Sequence, residues 1–226
     1  MKKYIYILFF IFLSSQTYSH TSHYKGIKSI KMEIFRNEKV IGYSNYFFKH
    51  GKNTMEVKNY TQFEVKLLGS VIFSISSEAV EKYKNNKLFY FKSITFQNGK
   101  EKYVNLYYDK SSLALIIDGS SYKGKANPDS VIGNWWNHKI LQTSKQISPL
   151  SGSIKEQVVT FVGKEEIELY GKKYITEHFK LKSKDPNTPE DKKLNFDIWY
   201  NKKNNIILKV SYSKLGKWEY KVKSFQ

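Results

Sequence analysis

Apolar and polar residues alternate along most of this chain with a period of two. Ile30, Met32 and Ile34 are interleaved with Lys31 and Glu33, and Phe63, Val65 and Leu67 with Glu64 and Lys66. Leu194, Phe196, Ile198 and Tyr200 are interleaved with Asn195 and Asp197 in the same way. Successive side chains of an extended strand point to opposite faces, so these runs read as strands with one face buried. Short polar segments separate the runs, at 36–39, 50–53, 84–87, 98–100, 163–165, 171–173, 201–205 and 215–217. That spacing predicts hairpins and an antiparallel meander.

Two stretches break the alternation. From Asn127 to Ser148 no period of two is present, and Asp129, following Pro128, is placed to cap a short helix through Val131, Ile132, Trp135 and Trp136. Ser183 to Lys193 carries Pro186 and Pro189 among charges and reads as an exposed loop between strands. Several strands are apolar on both faces, among them Val71-Ile72-Phe73, Leu88-Phe89-Tyr90-Phe91 and Tyr107-Tyr108. A strongly curved sheet that wraps a core and is plugged by the crossover would cover both sides. The expected fold is therefore all-β: a single curved antiparallel sheet forming an open or half-closed barrel, with one short helical crossover near residues 128–142.

The N-terminus changes the picture of where the protein works. Lys2 and Lys3 precede the apolar run Tyr4 to Leu13, which gives way to small and polar residues ending in Thr17-Tyr18-Ser19. The run is too short to span a bilayer and has the form of a signal peptide cleaved after Ser19. The chain thus divides into a leader, 1–19, and a single β domain, 20–226, expected to be periplasmic or secreted. It contains no cysteine, which removes disulfides and thiolate chemistry and leaves stability to the core. Aromatic residues supply that core generously, with 18 Tyr, 15 Phe and 4 Trp.

The formal charge is +18, carried almost wholly by lysine, with Arg36 the sole arginine. Bidentate reading of phosphates and guanine edges relies on arginine, so specific nucleic-acid binding is not expected. Contact with an anionic membrane surface is the partner this charge suits.

Several motifs in order resemble a known group of exported bacterial proteins, the domain of unknown function 6134 family, which is similar to the domain of unknown function 3108 group. They are Ile41-Gly42, Glu81 followed by a turn and Leu88, Gln97-Asn98-Gly99, and Trp135-Trp136-Asn137. Ile167-Glu168-Leu169 with Gly171 and Tyr174, and finally Asp197-Ile198-Trp199-Tyr200, complete the series. The resemblance implies a fold like that of periplasmic lipoprotein carriers, in which a curved sheet holds an acyl chain against an inserted helical segment. It supplies no catalytic residues.

Candidate chemistry is sparse. Trp135-Trp136-Asn137-His138 could form a rim gripping a ligand, or could plug the open end of the barrel with His138 bonded to a loop carbonyl. Asp197 and Trp199 share a strand face, where the aspartate would orient a polar head group or pair with a neighbouring lysine such as Lys209. Trp135, Trp136, Asn137, Trp199 and Tyr200 are the expected ligand-binding residues, the ligand being a lipid or other apolar molecule. His20 and His23 near a freed terminus have some metal affinity, but no carboxylate or thiol stands nearby to complete a site, so no metal or cofactor is expected. Gly119-Ser120-Ser121-Tyr122-Lys123 lacks the last glycine of a nucleophile elbow, and Glu177-His178 are strand neighbours pointing apart, so no enzymatic activity is expected. The competing expectation is a structural or interaction protein with a filled barrel.

Overall fold

The computed structural model describes residues 23–190, 192–214 and 216–226. The expected leader and His20 lie outside them. Fifteen strands form one large, unclosed, curved sheet. The first eight are β1 (Ser29–Arg36), β2 (Lys39–His50), β3 (Thr54–Leu67), β4 (Ser70–Lys84), β5 (Lys87–Gln97), β6 (Lys100–Asp109), β7 (Ala114–Gly119) and β8 (Lys123–Ala126). After β9 (Val131–Ile132), a 3₁₀ turn (His138–Gln142) and β10 (Lys145–Ile147) come β11 (Ile154–Leu169), β12 (Lys172–Ser183), β13 (Asn195–Asn201), β14 (Ile206–Ser213) and β15 (Lys217–Phe225).

The topology explains the shape. Strands β1 to β8 run outward as a meander to one edge, the chain crosses to the far edge at β9, and β10 to β15 return until β15 pairs with β1. All neighbours are antiparallel except β9 and β10. The two edges approach without pairing as strands: Ser121 N donates to the Ser151 carbonyl at 3.0 Å. Gly119 permits that approach, since a Cβ there would lie 2.5 Å from the same oxygen.

Alternation places the core as expected. Ile30, Met32 and Ile34 of β1 are all about 1% exposed or less, as are Ile198 of β13 and Val210 of β14. Turns form at Asn37-Glu38, Asn85-Asn86, Asn98-Gly99 and Tyr170-Gly171, where positive φ suits asparagine and glycine.

Three expectations are corrected. The polar segment 163–165 is no turn: β11 runs through it to Leu169, with a bulge between Phe161 and Gly163. Leu67 keeps the phase of Phe63 and Val65 but not their burial: it lies beyond the last β2 partner, Gly42 opposite Phe63, and is 60% exposed. The crossover contains no helix at Val131–Trp136. Val131 and Ile132 form β9, and only His138–Gln142 coils, as a 3₁₀ turn capped by Asn137, whose Oδ1 accepts from Lys139 N at 3.0 Å. Asn127, not Asp129, makes the turn before β9, its Oδ1 accepting from Asp129 N.

Candidate functional site

The crossover from Asn127 to Ser153 fills the concave side of the sheet. Trp136 is wholly buried and meets Tyr24, Phe48 and Tyr83 edge-on at 5.0, 5.4 and 5.8 Å between ring centroids. Trp135 packs on Phe196 and Tyr220, and Ile140 joins Leu181 and Ile198, so the crossover grips inward side chains of both halves of the sheet. Backbone carbonyls of Ile140 and Thr143 accept from the Gln157 amide at 2.8 and 2.9 Å. On the other side Ser93 Oγ donates to the Pro149 carbonyl.

A carboxylate anchors this plug. Along β4 the inward residues are Ile75, Ser77, Ala79, Glu81 and Tyr83, so Glu81 is forced into the core at 2% exposure. Its Oε1 accepts from Trp136 Nε1 at 3.0 Å and from the Asn134 amide, and its Oε2 accepts from the Tyr83 hydroxyl at 2.6 Å. Burial pushes the Glu81 carboxyl up to about 7 against the opposing pull of the Trp136 and Tyr83 hydrogen bonds. Asn134 Oδ1 is buried with no hydrogen-bond partner among the described residues. The sequence did carry a signal here: an acid standing at an apolar phase of a two-residue period.

A second buried group lies beside the first. The Tyr24 hydroxyl bonds His138 Nδ1 at 2.7 Å and accepts from His138 N at 3.1 Å, so a tyrosine holds this side of the imidazole. The His138 ring stacks on His23 at 5.3 Å and on Tyr200 at 5.2 Å. Burial raises the Tyr24 hydroxyl far above its usual range and, with the charge of Glu177, pushes Tyr200 up to about 12.

Four of the five expected ligand-binding residues therefore come together, but as packing. Trp135, Trp136, Asn137 and Tyr200 fill the concave side, while Trp199, next to Tyr200 on β13, points to the opposite face and takes no part. There Trp199 lies between the His178 ring, stacked at 4.6 Å, and Lys209 Nζ, 4.4 Å from its centroid. His178 reaches Glu165 through Nδ1 and Asp197 through Nε2, each at 3.0 Å.

Asp197 does hold a lysine, but it is Lys180 at 2.7 Å and not Lys209. Burial raises the Asp197 carboxyl, yet Lys180 and His178 outweigh it and keep it below the usual carboxylate range. Lys209 turns instead to Glu219, 3% exposed under Lys209, Lys217 and Lys221. For Glu219 too burial opposes ionisation, and the contacts of Lys221 and Lys209 prevail, holding it at about 2.

Open space lies elsewhere. A trough of about 670 Å³ runs over the outward face of β3, β4 and β5, lined by Tyr60, Glu78, Lys82, Tyr90, Lys92 and Phe96 among others. Another, about 530 Å³, lies by Lys164, Lys173, Glu177 and Asn201–Asn204. Among the described residues no three histidine, aspartate or glutamate side chains gather as metal ligands would.

Comparison with known proteins agrees with this architecture. No curated protein matches the chain. A crystal structure of a β-barrel-like protein of the domain of unknown function DUF1849 from Brucella abortus superposes with a TM-score of 0.57. The alignment covers 88% of this chain and 96% of that one at 7% identity, so the likeness is one of fold alone. The model of a domain of unknown function, DUF6134, matches residues 32–223. That stretch runs from the inward Met32 of β1 to Lys223 of β15 and takes in the Glu81 anchor and the Trp136 plug, so the chain belongs to the DUF6134 family.

Proposed function

We propose that the protein is a non-enzymatic component of the bacterial cell envelope, exported behind residues 1–19, whose barrel is filled and which works from its surface. The observation that carries this reading is the complete burial of Trp136 against Tyr24, Phe48 and Tyr83, where an acyl chain would otherwise lie. A container for an apolar ligand keeps an apolar hollow of several hundred Å³, whereas the trough of about 670 Å³ opens on the outward face of β3, β4 and β5. Native mass spectrometry of protein purified from the periplasm tests it. The expected mass is that of the polypeptide starting at His20; a co-purified lipid overturns it.

One observation favours a second reading, a carrier whose plug swings out to admit a lipid. The plug hangs on a buried acid whose ionisation falls near neutral pH, beside an amide oxygen with no partner among the described residues. Trp135, Trp136, Asn137 and Tyr200 would then line the emptied cavity. Replacing Trp135 with Ala lowers binding of a fluorescent fatty acid under this reading and changes nothing under the first.

A further inference from the structure

The hairpin joining β3 to β4 is built against the economy seen in the rest of the chain. β3 pairs with β2 only as far as Phe63 and β4 pairs with β5 only from Ile75, with Ser74 still bonded to Asn98, so residues 64–73 lie beyond both pairings. At the strand rise of about 3.4 Å this arm reaches some 15 Å beyond its neighbours. Its base is packed: Phe63, Val65 and Ile75 cluster with Trp218 and Ile34. Its tip is not. Leu67 is 60% exposed, Leu68 98%, Val71 49% and Ile72 51%.

Leu68 carries two local penalties at once. Its φ is +50°, a conformation costly for a side chain with a Cβ, and its side chain stands wholly in water. Three equivalent tight turns place asparagine there, at Asn37, Asn85 and Asn98, and a fourth places Tyr170, whose hydroxyl bonds Glu33. Leu113 shares the positive φ and the exposure, but Leu68 stands with the exposed Leu67, Val71 and Ile72 at the end of a projecting arm, and that combination, without internal compensation, marks the position.

The surroundings say what the tip meets. Antiparallel registry puts the turns after β1, β3, β5 and β14 at one end of the sheet. Asn37 and Lys217 exchange hydrogen bonds between the first and last of these turns, and Asn98 and Ser74 between the two middle ones. Lys39, Lys66, Lys100, Lys102, Lys214 and Lys217 lie at this end, against Glu38, Glu64 and Glu101 on its surface. An apolar knob ringed by excess lysine matches the layered chemistry of an anionic bilayer: hydrocarbon for the leucines, head-group phosphate for the amines.

We propose that the Leu67–Ile72 tip is an interfacial anchor that inserts into an anionic lipid surface. The inference goes beyond the reading above and holds whether or not the interior ever takes a ligand.

The test is co-sedimentation of protein purified from the soluble fraction with vesicles of phosphatidylcholine, alone or with about a third phosphatidylglycerol. The wild type should bind the mixed vesicles better than the neutral ones, and added salt should weaken but not abolish binding. Leu68→Asn should lose roughly tenfold or more in binding, the worth of burying one leucine, while unfolding at the same or higher urea concentration because asparagine suits the turn. Leu113→Asn, the same change in an exposed turn away from this end, should bind as wild type. The proposal is overturned if Leu68→Asn binds the mixed vesicles as well as wild type, or if wild type does not distinguish the two vesicles. It is also overturned if Leu68→Asn abolishes a concentration-dependent dimer and no vesicle binding exists, which would make the occupant a second copy.

Discussion

Glu81→Gln separates the two consequences of placing a carboxylate under the plug. Folded Glu81 titrates at about 7 against 4.5 for an unperturbed glutamate. The native state thus binds a proton more tightly than the unfolded chain, so this group's contribution is complete below pH 4.5 and is lost as pH rises through 7. A difference of that size is worth about 3 kcal/mol at 1.36 kcal/mol per unit. Glutamine is nearly isosteric: its oxygen can accept from Trp136, and its amide can donate to the Tyr83 oxygen. Its stability should not respond to pH on this account.

Urea unfolding of both proteins from pH 5 to pH 8.5 should show the variant near wild type at pH 5 and ahead by about 3 kcal/mol at pH 8.5. The melting temperature should diverge by on the order of 10 °C for a domain of this size. A difference between variant and wild type that stays constant across the range would refute the reasoning. It would mean that the Trp136, Tyr83 and Asn134 donors keep the carboxylate ionised throughout.

Other perturbations probe the remaining contacts. Trp136→Ala leaves a hole in the middle of the core and should cost about 3–5 kcal/mol in urea unfolding; a loss under 1 kcal/mol would show that the crossover does not hold the sheet. Gly119→Ala drives a methyl group into the Ser151 carbonyl and should cost about 1–3 kcal/mol, whereas an unchanged midpoint would place the two sheet edges further apart. Glu219, depressed to about 2, stabilises the fold above pH 4.5, and that support fades as pH falls toward 2. Glu219→Gln should therefore flatten acid unfolding over that interval by about 1–2 kcal/mol after screening by solvent around the lysines, a difference absent if the lysines do not reach the carboxylate.

Much of the architecture follows from short-range chemistry, and so could be read from the chain. The period of two in β1 and β13 sets which side chains face inward, and asparagine and glycine mark most of the hairpin turns because they tolerate positive φ. A curved sheet is implied once strands such as β5 need cover on both faces.

What escaped that reading depends on contacts distant in sequence. Phase alone cannot show where cover ends: Leu67 keeps the phase of Phe63 and Val65, but β2 stops pairing at Phe63 and nothing covers the position beyond it. The crossover residues resemble a capped helix locally, but β10 claims Val131 and Ile132, and Glu81, 55 residues before Trp136, fixes the indole. Lys209 stands beside Asp197 by strand order, yet cross-strand registry delivers Lys180 to the aspartate and gives Lys209 to Glu219. Local periodicity determines which face a residue takes; only the closing of the sheet around its own crossover decides what that face meets, because burial and pairing are settled between segments the sequence keeps far apart.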